Sequence, residues 1–207
     1  MTSSDEIILV PADPGNVALV PELMFATDPY IWSYLFNGQR SLFDRYIMKL
    51  WPHRENIYSY DTTTAAMMGD QLLGIEMGYP VETIDNRNRK TREVASGLFD
   101  DAMVADMVVR GRLIDYILPN APKRAYKLHT LSITENARNR GLGKLLLENA
   151  FEKARSHGLK SVHLGVYADN SAVRFYKRMG MEILVETRVP RLEAHGIKKH
   201  YQMVKEL

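Results

Sequence analysis

The sequence predicts a mixed α/β (α+β) fold, in which short strands and amphipathic helices alternate along 207 residues. Residues 161–167 alternate apolar with polar or small side chains, which is the two-residue period of a β-strand. Residues 142–157 instead place apolar side chains at helical spacing. A turn with two glycines, Gly141 and Gly143, separates that helix from an apolar strand ending at Ile133.

The first half of the chain shows both periods. Its predicted elements are a strand at 6–10, helices at about 17–24 and 39–50, and a hairpin of strands 63–68 and 72–78. An aromatic cluster lies between the two helices and consists of Tyr30, Trp32, Tyr34 and Phe36. It is interpreted either as packing in the core or at an interface, or as one wall of a substrate pocket.

The second half begins with a basic stretch and one or two helices within residues 81–124, closed by Pro119 and Pro122. The charged residues of this segment are expected to be solvated. The predicted elements after it are a strand at 126–133, the helix 142–157, the strand 161–167, a helix between a cap at 169–171 and Gly180, and an antiparallel pair at 181–189 and 198–204.

Composition excludes several classes of protein. Hydrophobic residues make up 45% of the chain and charged residues 25%, as in a globular domain. Without cysteine there is no disulfide framework, thiolate metal site or cysteine nucleophile, and no metal is expected. The net charge of +2 arises from basic residues spread along the chain, which favours a solvated surface over nucleic-acid binding.

Length and hydropathy predict one cytoplasmic domain over residues 1–207. No apolar run approaches the ~18 residues of a membrane span, so no membrane association is expected. No apolar leader follows Met1.

The glycine turn has the chemistry of an anion-binding site. Glycine allows a tight turn and a close approach of ligand to the free N–H groups of a helix's first turn. Arg138, Arg140 and Lys144 add positive charge at that helix end. A dinucleotide fingerprint would need glycine or alanine where Leu146 stands, and a P-loop would need serine or threonine where Leu145 stands. Both of those motifs are excluded.

The R-x-x-G-x-G pattern at 138–143 resembles the pyrophosphate-binding motif of the GNAT acyltransferases, which bind acyl-coenzyme A. The segment 169–181 is similar to the second signature of that family, an asparagine followed by a tyrosine and a glycine. The two motifs together cover about residues 126–188. The resemblance implies the GNAT fold, a mixed and mostly antiparallel sheet splayed around acyl-coenzyme A and flanked by helices. Residues 81–124 then become a helical insertion near the acceptor site, a candidate lid or dimer contact.

The resemblance also assigns coenzyme-binding positions. The pyrophosphate is expected at Arg138, Asn139, Arg140, Gly141, Leu142, Gly143 and Lys144. The pantetheine arm is expected beside Leu131, Ser132 and Ile133, with the Leu131 N–H polarising the thioester carbonyl. Asn170 is expected to cap its helix and to bond the pantetheine, and Tyr176 occupies the general-acid position. A buried helical stripe is the alternative interpretation of Tyr176.

The base that deprotonates the acceptor amine has three candidates. Alternation places residues 127, 129, 131 and 133 on one face of their strand, and His129 is the group that titrates near neutral pH. Many family members carry glutamate where this chain has Lys127. Glu76 on the neighbouring strand, acting through a water, is the alternative base, and water itself is the third. A structural, hydrogen-bonded histidine is the alternative role of His129.

These residues predict an N-acetyltransferase that moves an acetyl group directly from acetyl-coenzyme A to a primary amine, without a metal. A small-molecule acceptor is favoured, and a homodimer is compatible with the family. One alternative is a catalytically silent acyl-coenzyme A-binding regulatory domain. Another is an acetyltransferase for protein lysines or N-termini, which an open acidic groove would favour over a closed aromatic pocket.

Overall fold

A computed structural model describes residues 6–207 and contains one seven-stranded sheet. Its strands are β1 Ile7–Pro11, β2 Thr63–Met68, β3 Gln71–Pro80, β4 Ala125–Ile133, β5 Ser161–Tyr167, β6 Glu182–Arg188 and β7 Lys199–Glu206. They lie in the order β1-β2-β3-β4-β5-β7-β6, and only β4 and β5 are parallel neighbours. The predicted mixed fold with a mostly antiparallel sheet is therefore confirmed.

Eight α-helices are found in the described part of the chain. They are α1 Val20–Phe25, α2 Pro29–Leu35, α3 Arg40–Leu50, α4 Ile84–Ala95, α5 Asp101–Ile117, α6 Leu142–Ser156, α7 Ala172–Arg178 and α8 Pro190–Glu193. None of these helices between residues 6 and 207 combines the length and apolarity needed to cross a bilayer. The predicted helices at 39–50 and 142–157 agree with α3 and α6 to within a residue at each end.

The two hydrophobic faces of the sheet are covered by different helices. On one face α6 contributes Leu146, Leu147 and Ala150, which are completely buried. On the other face α3 contributes Phe43 and Ile47, also completely buried against the first strands. Burying a side chain of this size stabilises the fold by about 1.5–3 kcal/mol. The packing of α6 fixes the position of its N-terminus relative to β4.

The parallel contact between β4 and β5 is short. β4 pairs with β3 from Tyr126 to Ile133, whereas it pairs with β5 only from Ala125 to Lys127. β5 then pairs along its whole length with β7, which lies between β5 and β6. Beyond Lys127, β4 and β5 separate and leave an opening in the middle of the sheet.

The aromatic cluster of the first half belongs mainly to a helix rather than a connection. Asp28 caps α2, since its Oδ1 accepts the Ile31 N–H at 3.0 Å, and Pro29 occupies the first helical position. Trp32 and Phe36 are buried in the hydrophobic core. Tyr30, Trp32, Tyr34 and Phe36 are all absent from the lining of the large cavity described below. Core packing is thus the interpretation that the structure favours for Trp32 and Phe36, whereas Tyr30 is exposed.

Residues 81–124 form α4 and α5, which pack on other helices and on the sheet edge. α4 contacts α3, and α5 contacts α2 and β6. The expectation of solvated charges is wrong for Arg87, whose side chain is only 14% exposed. Its guanidinium lies 3.7 Å from Asp61, donates to the Asn56 carbonyl at 3.0 Å and covers the ring of Tyr79. Burial beside a carboxylate and an aromatic ring explains this, and the role of the segment as lid or dimer contact stays a prediction.

Candidate active site

A cavity of about 840 Å³ lies where β4 and β5 separate. Every predicted coenzyme-binding residue lines it except Arg140, which lines a smaller cleft beside the same turn. The predicted residues brought together there are Leu131, Ser132, Ile133, Arg138, Asn139, Gly141, Leu142, Gly143, Lys144, Asn170 and Tyr176. His129 also lines the cavity, whereas Glu76 does not. The structure therefore brings predicted residues from His129 to Tyr176 together around one cavity.

The glycine turn forms the N-terminus of α6 in a left-handed conformation. Asn139 has φ 63° and Gly141 has φ 81°, a region that glycine and asparagine adopt most readily. Gly141 is the N-cap residue and no side chain caps the helix. Within residues 6–207, the N–H groups of Leu142 and Gly143 consequently have no acceptor. Free donors at the positive end of the helix dipole form a binding site for a phosphate or pyrophosphate.

The edge of β4 that faces the cavity carries unpaired backbone groups. The Thr134 N–H donates to the Leu73 carbonyl at 2.8 Å, on the β3 side. Because successive N–H groups of a strand point in opposite directions, those of Leu131 and Ile133 point toward the gap. β5 does not pair with β4 at this level. An extended, peptide-like ligand can therefore hydrogen-bond to this edge as an added strand.

A β-bulge in β4 places His129 on a different face from the one that simple alternation predicts. Met77 pairs with Thr130 and Gly78 pairs with Leu128, so His129 is the extra residue between them. The prediction that residues 127, 129, 131 and 133 share a face is therefore wrong. Leu131 and Ile133 pack toward α6. His129 and Lys127 face the opposite side of the sheet, where Tyr79 lies directly across from Lys127.

His129 is enclosed by aromatic rings. The ring centroids of Tyr58 and Tyr79 lie 5.4 Å and 6.3 Å from that of His129. Its Nδ1 lies 3.0 Å from the Thr130 hydroxyl. Burial, helped by the charge of Lys127, lowers the pKa of His129 to about 3. The imidazole is therefore uncharged at neutral pH and is available as a hydrogen-bond acceptor.

Glu76 lies on the α6 side of the sheet, away from the cavity. It is fully buried, and one oxygen accepts from Lys153 Nζ at 2.9 Å and from Asn149 Nδ2 at 3.2 Å. The other oxygen accepts the Tyr126 hydroxyl at 3.1 Å. Both oxygens are thus engaged in a buried network. Its role as the alternative base stays a prediction, but this geometry favours a structural role.

Tyr176 and Asn170 approach the cavity from α7 and the turn before it. Tyr176 is 7% exposed and packs against Phe175 at 5.3 Å between ring centroids. Burial raises the pKa of Tyr176 above its usual value, so the phenol keeps its proton at neutral and mildly alkaline pH. Asn170 Oδ1 accepts the Ala172 N–H at 2.9 Å in the turn before α7, and Ser171 is the N-cap residue of that helix. A protonated phenol on the cavity wall is a competent proton donor.

Several lining residues were not identified from the sequence. Ala26 and Thr27 come from the turn between α1 and α2, and Gly165 and Val166 come from β5. A Cβ on Gly165 would lie 2.5 Å from Leu118, so the glycine permits close packing behind that wall. A glycine within an alternating strand is a sequence signal that could have identified Gly165. No sequence pattern marks Ala26 and Thr27 as lining residues.

The charge of the cavity is unequally distributed. Arg138, Lys144 and Arg178 are its charged lining residues, and they lie with the glycine turn and α7. Among the described residues, no aspartate or glutamate lines the cavity. No group of three histidine or acidic side chains within residues 6–207 is arranged to hold a metal ion. The site thus attracts an anion at one end and presents aromatic and aliphatic groups near His129.

Comparison with known proteins agrees with this architecture. Residues 79–181 match the model of the acetyltransferase (GNAT) family. An uncharacterized N-acetyltransferase of Methanocaldococcus jannaschii is 36% identical over 67 residues, which are 31% of this chain and 30% of that protein's length.

Solved structures share the fold over nearly the whole chain. A crystal structure of an acetyltransferase superposes with a TM-score of 0.71 at 20% identity, covering 96% of this chain and 98% of the other. A Bacillus subtilis acetyltransferase in complex with CoA superposes with a TM-score of 0.54 at 14% identity, covering 98% of each chain. At these identities the likeness concerns the fold. The family match over residues 79–181, which include the glycine turn, shows that the chain belongs to the GNAT superfamily of acetyltransferases.

Proposed function

We propose that this protein transfers an acetyl group from acetyl-coenzyme A to the primary amine of a small molecule. The observation that carries the proposal is the single cavity that joins the N-terminus of α6 to His129 and Tyr176. An anion site, an unpaired strand edge and a proton donor are thereby aligned along one channel. These are the three features that a pyrophosphate, a pantetheine arm and a departing thiolate require.

The residues present fit acetyl-coenzyme A, which supplies the acetyl group as a thioester. The free N–H groups of Leu142 and Gly143, with Arg138 and Lys144, would hold the pyrophosphate. The open edge of β4 would pair with the pantetheine. A related fold in complex with CoA supports the same use of this cleft.

Three groups of this chain then have defined tasks. The Leu131 N–H points into the gap, where it can polarise a carbonyl oxygen. The neutral ring of His129 accepts a hydrogen bond from the attacking amine, and the proton leaves through the open cavity to water. The Tyr176 phenol donates its proton to the leaving sulfur. Because its pKa is so low, His129 orients the amine through a hydrogen bond and does not take up the amine's proton.

The surroundings of His129 favour a small, largely apolar amine. Tyr58 and Tyr79 pack on the imidazole without lining the cavity, and the described lining residues carry no carboxylate that would attract a polyamine or a basic peptide. Lys127 contributes positive charge nearby. A second cationic group on the acceptor would therefore be repelled.

The test combines binding and turnover. Acetyl-coenzyme A should raise the unfolding temperature, and thiol release should be faster with phenethylamine and hexylamine than with spermidine, agmatine or a lysine peptide. Turnover with the peptide alone would indicate a protein acetyltransferase. Stabilisation by the coenzyme without turnover on any amine would indicate a silent binding domain, and absence of stabilisation would refute the anion site.

A further inference from the structure

A hydrogen bond between a buried histidine and an aspartate connects one wall of the cavity to strand β7. His200 of β7 is fully buried, and its Nε2 lies 2.6 Å from Oδ2 of Asp28. Because the carboxylate can only accept, the imidazole donates this hydrogen bond. Asp28 is 172 positions away in the sequence and ends the α1–α2 turn, residues 26–28. The pair therefore anchors that turn to a strand with which it shares no other polar contact among the described residues.

The α1–α2 turn is part of the cavity wall. Ala26 and Thr27 line the cavity directly, one or two residues before the anchored carboxylate. On the opposite side, Val166 of β5 lines the same cavity, and the next residue, Tyr167, packs its ring against His200 at 5.5 Å. His200 thus contacts the residues that directly follow a lining residue on each side, Asp28 and Tyr167.

The internal shape of the turn does not depend on the hydrogen bond between Asp28 and His200. Asp28 Oδ1 separately caps α2 by accepting the Ile31 N–H, and Trp32 Nε1 donates to the Met24 carbonyl at 3.0 Å. The Thr27 hydroxyl also donates to Met24. These bonds fix α1 relative to α2. Apolar side chains of α1 and α2 pack on β2 and β3, and Oδ2 of Asp28 adds a polar contact between the turn itself and the sheet, at His200.

We propose that Asp28 and His200 are a positioning pair that holds Ala26 and Thr27 in place as the acceptor-side wall of the cavity. The proposal rests on the proposed acetyl transfer. Alignment of an acceptor with a thioester tolerates only small displacements, so release of this wall weakens productive acceptor binding. The pyrophosphate site is built on α6 and does not contact the pair. Coenzyme binding is therefore independent of it.

The decisive variant is Asp28→Ser, because serine still caps a helix but is too short to reach His200. Asp28→Asn is the rescue variant, since its Oδ1 caps the helix while its Nδ2 donates to Nε2 of the Nδ1–H tautomer of His200. The matched control is Asp100→Ser, which makes the same exchange at the exposed cap of α5, where Asp100 accepts only the Met103 N–H. All three are compared with the intact protein.

Two measurements are made on each protein. Steady-state kinetics should show that Asp28→Ser raises the acceptor KM about tenfold, as loss of a charged hydrogen bond would, with the coenzyme Kd unchanged. With coenzyme bound, hydrogen–deuterium exchange in residues 24–31 should be faster in Asp28→Ser than in the intact protein. Asp28→Asn and Asp100→Ser should match the intact protein in residues 24–31 and in acceptor KM.

Other outcomes overturn the positioning role. An unchanged acceptor KM would do so, and so would a parallel rise of acceptor KM and coenzyme Kd with a lower unfolding temperature, which indicates general destabilisation. If the intact protein acetylates no amine, the proposed function fails and the exchange measurement alone decides the anchoring. Faster exchange confined to residues 24–31 then supports the anchor, and unchanged exchange refutes it.

Discussion

Burial acts on Tyr176 and His129 in opposite directions. It raises the pKa of the phenol and lowers the pKa of the imidazole to about 3, because in each case the charged form loses its hydration. Both side chains are consequently uncharged at neutral pH. Within one cavity the phenol carries a proton that it can donate, and the imidazole offers one unprotonated ring nitrogen as a hydrogen-bond acceptor. Their environments separate the two roles more clearly than their ordinary pKa values would.

Replacing Tyr176 by phenylalanine should lower kcat by about 10²-fold, the usual contribution of a general acid, while the coenzyme Kd stays within about twofold. The loss should be similar at pH 7 and pH 9, because the raised pKa keeps the phenol protonated at both. Tyr116→Phe on the exposed face of α5 is the control and should keep full activity. An equal loss of coenzyme binding would instead indicate a packing role.

His129 should make the protein sensitive to acid. Its folded pKa of about 3 lies below the unfolded value near ~6.5, so the unfolded chain binds the proton first and stability falls as the pH drops through that interval. Between pH 7 and pH 5 this amounts to about 2 kcal/mol. Denaturant titrations of His129→Phe should show a smaller loss over that range. The control variant His53→Phe, at an exposed histidine, should retain the full loss of stability between pH 7 and pH 5. The same dependence of the unfolding free energy on pH in both variants would contradict the assignment.

At the scale of single elements, sequence periodicity predicted the helices and strands whose bounds depend on local sequence. β5 was predicted with its observed bounds, because alternation at 161–167 is uninterrupted, and α6 to within one residue. The bulge at His129 was not predictable, since it depends on the register between β3 and β4. The helix α2 was not predictable either, because the aromatic residues at 30–36 follow no simple period. Its N-terminus is set by the cap residue Asp28.

Gly141 should be required in the glycine turn for its backbone conformation rather than for the small size of its side chain. A Cβ on Gly141 would meet no atom within 4 Å, but its φ of 81° is strained for other residues. Gly141→Ala should therefore destabilise the fold by about 1 kcal/mol and weaken coenzyme binding, whereas Gly141→Asn should do so less.

The matched control for this turn is Gly111 within α5, which has equally open space and no positive φ. Gly111→Ala should stabilise the protein by about 0.4–1 kcal/mol, because alanine favours a helix. Thermal unfolding with and without coenzyme measures both changes. Equal effects at the two glycines would show that the left-handed turn is not required.

At the scale of the whole molecule, the sheet is continuous except at the level where the site lies. β4 belongs to the antiparallel group β1-β2-β3-β4, and β5 belongs to the group β5-β7-β6. The two groups join through pairs at 125–127 alone. Their divergence could be inferred only from the family resemblance, because no local pattern records where two distant strands cease to pair. The same divergence that exposes the edge of β4 also makes it the least protected part of the sheet.

A bound coenzyme should therefore act as a replacement for the missing strand contacts. Saturating acetyl-coenzyme A at 100 times its Kd should stabilise the fold by about 2.7 kcal/mol. Hydrogen exchange should slow most in residues 128–133, where the backbone is unpaired toward β5, and at the first turn of α6. The hairpin of β2 and β3 at 68–72 should change little, because it lies outside the cavity lining. Protection spread evenly over the chain, or confined to α6, would show that the ligand binds at the anion site without entering the gap between the strands.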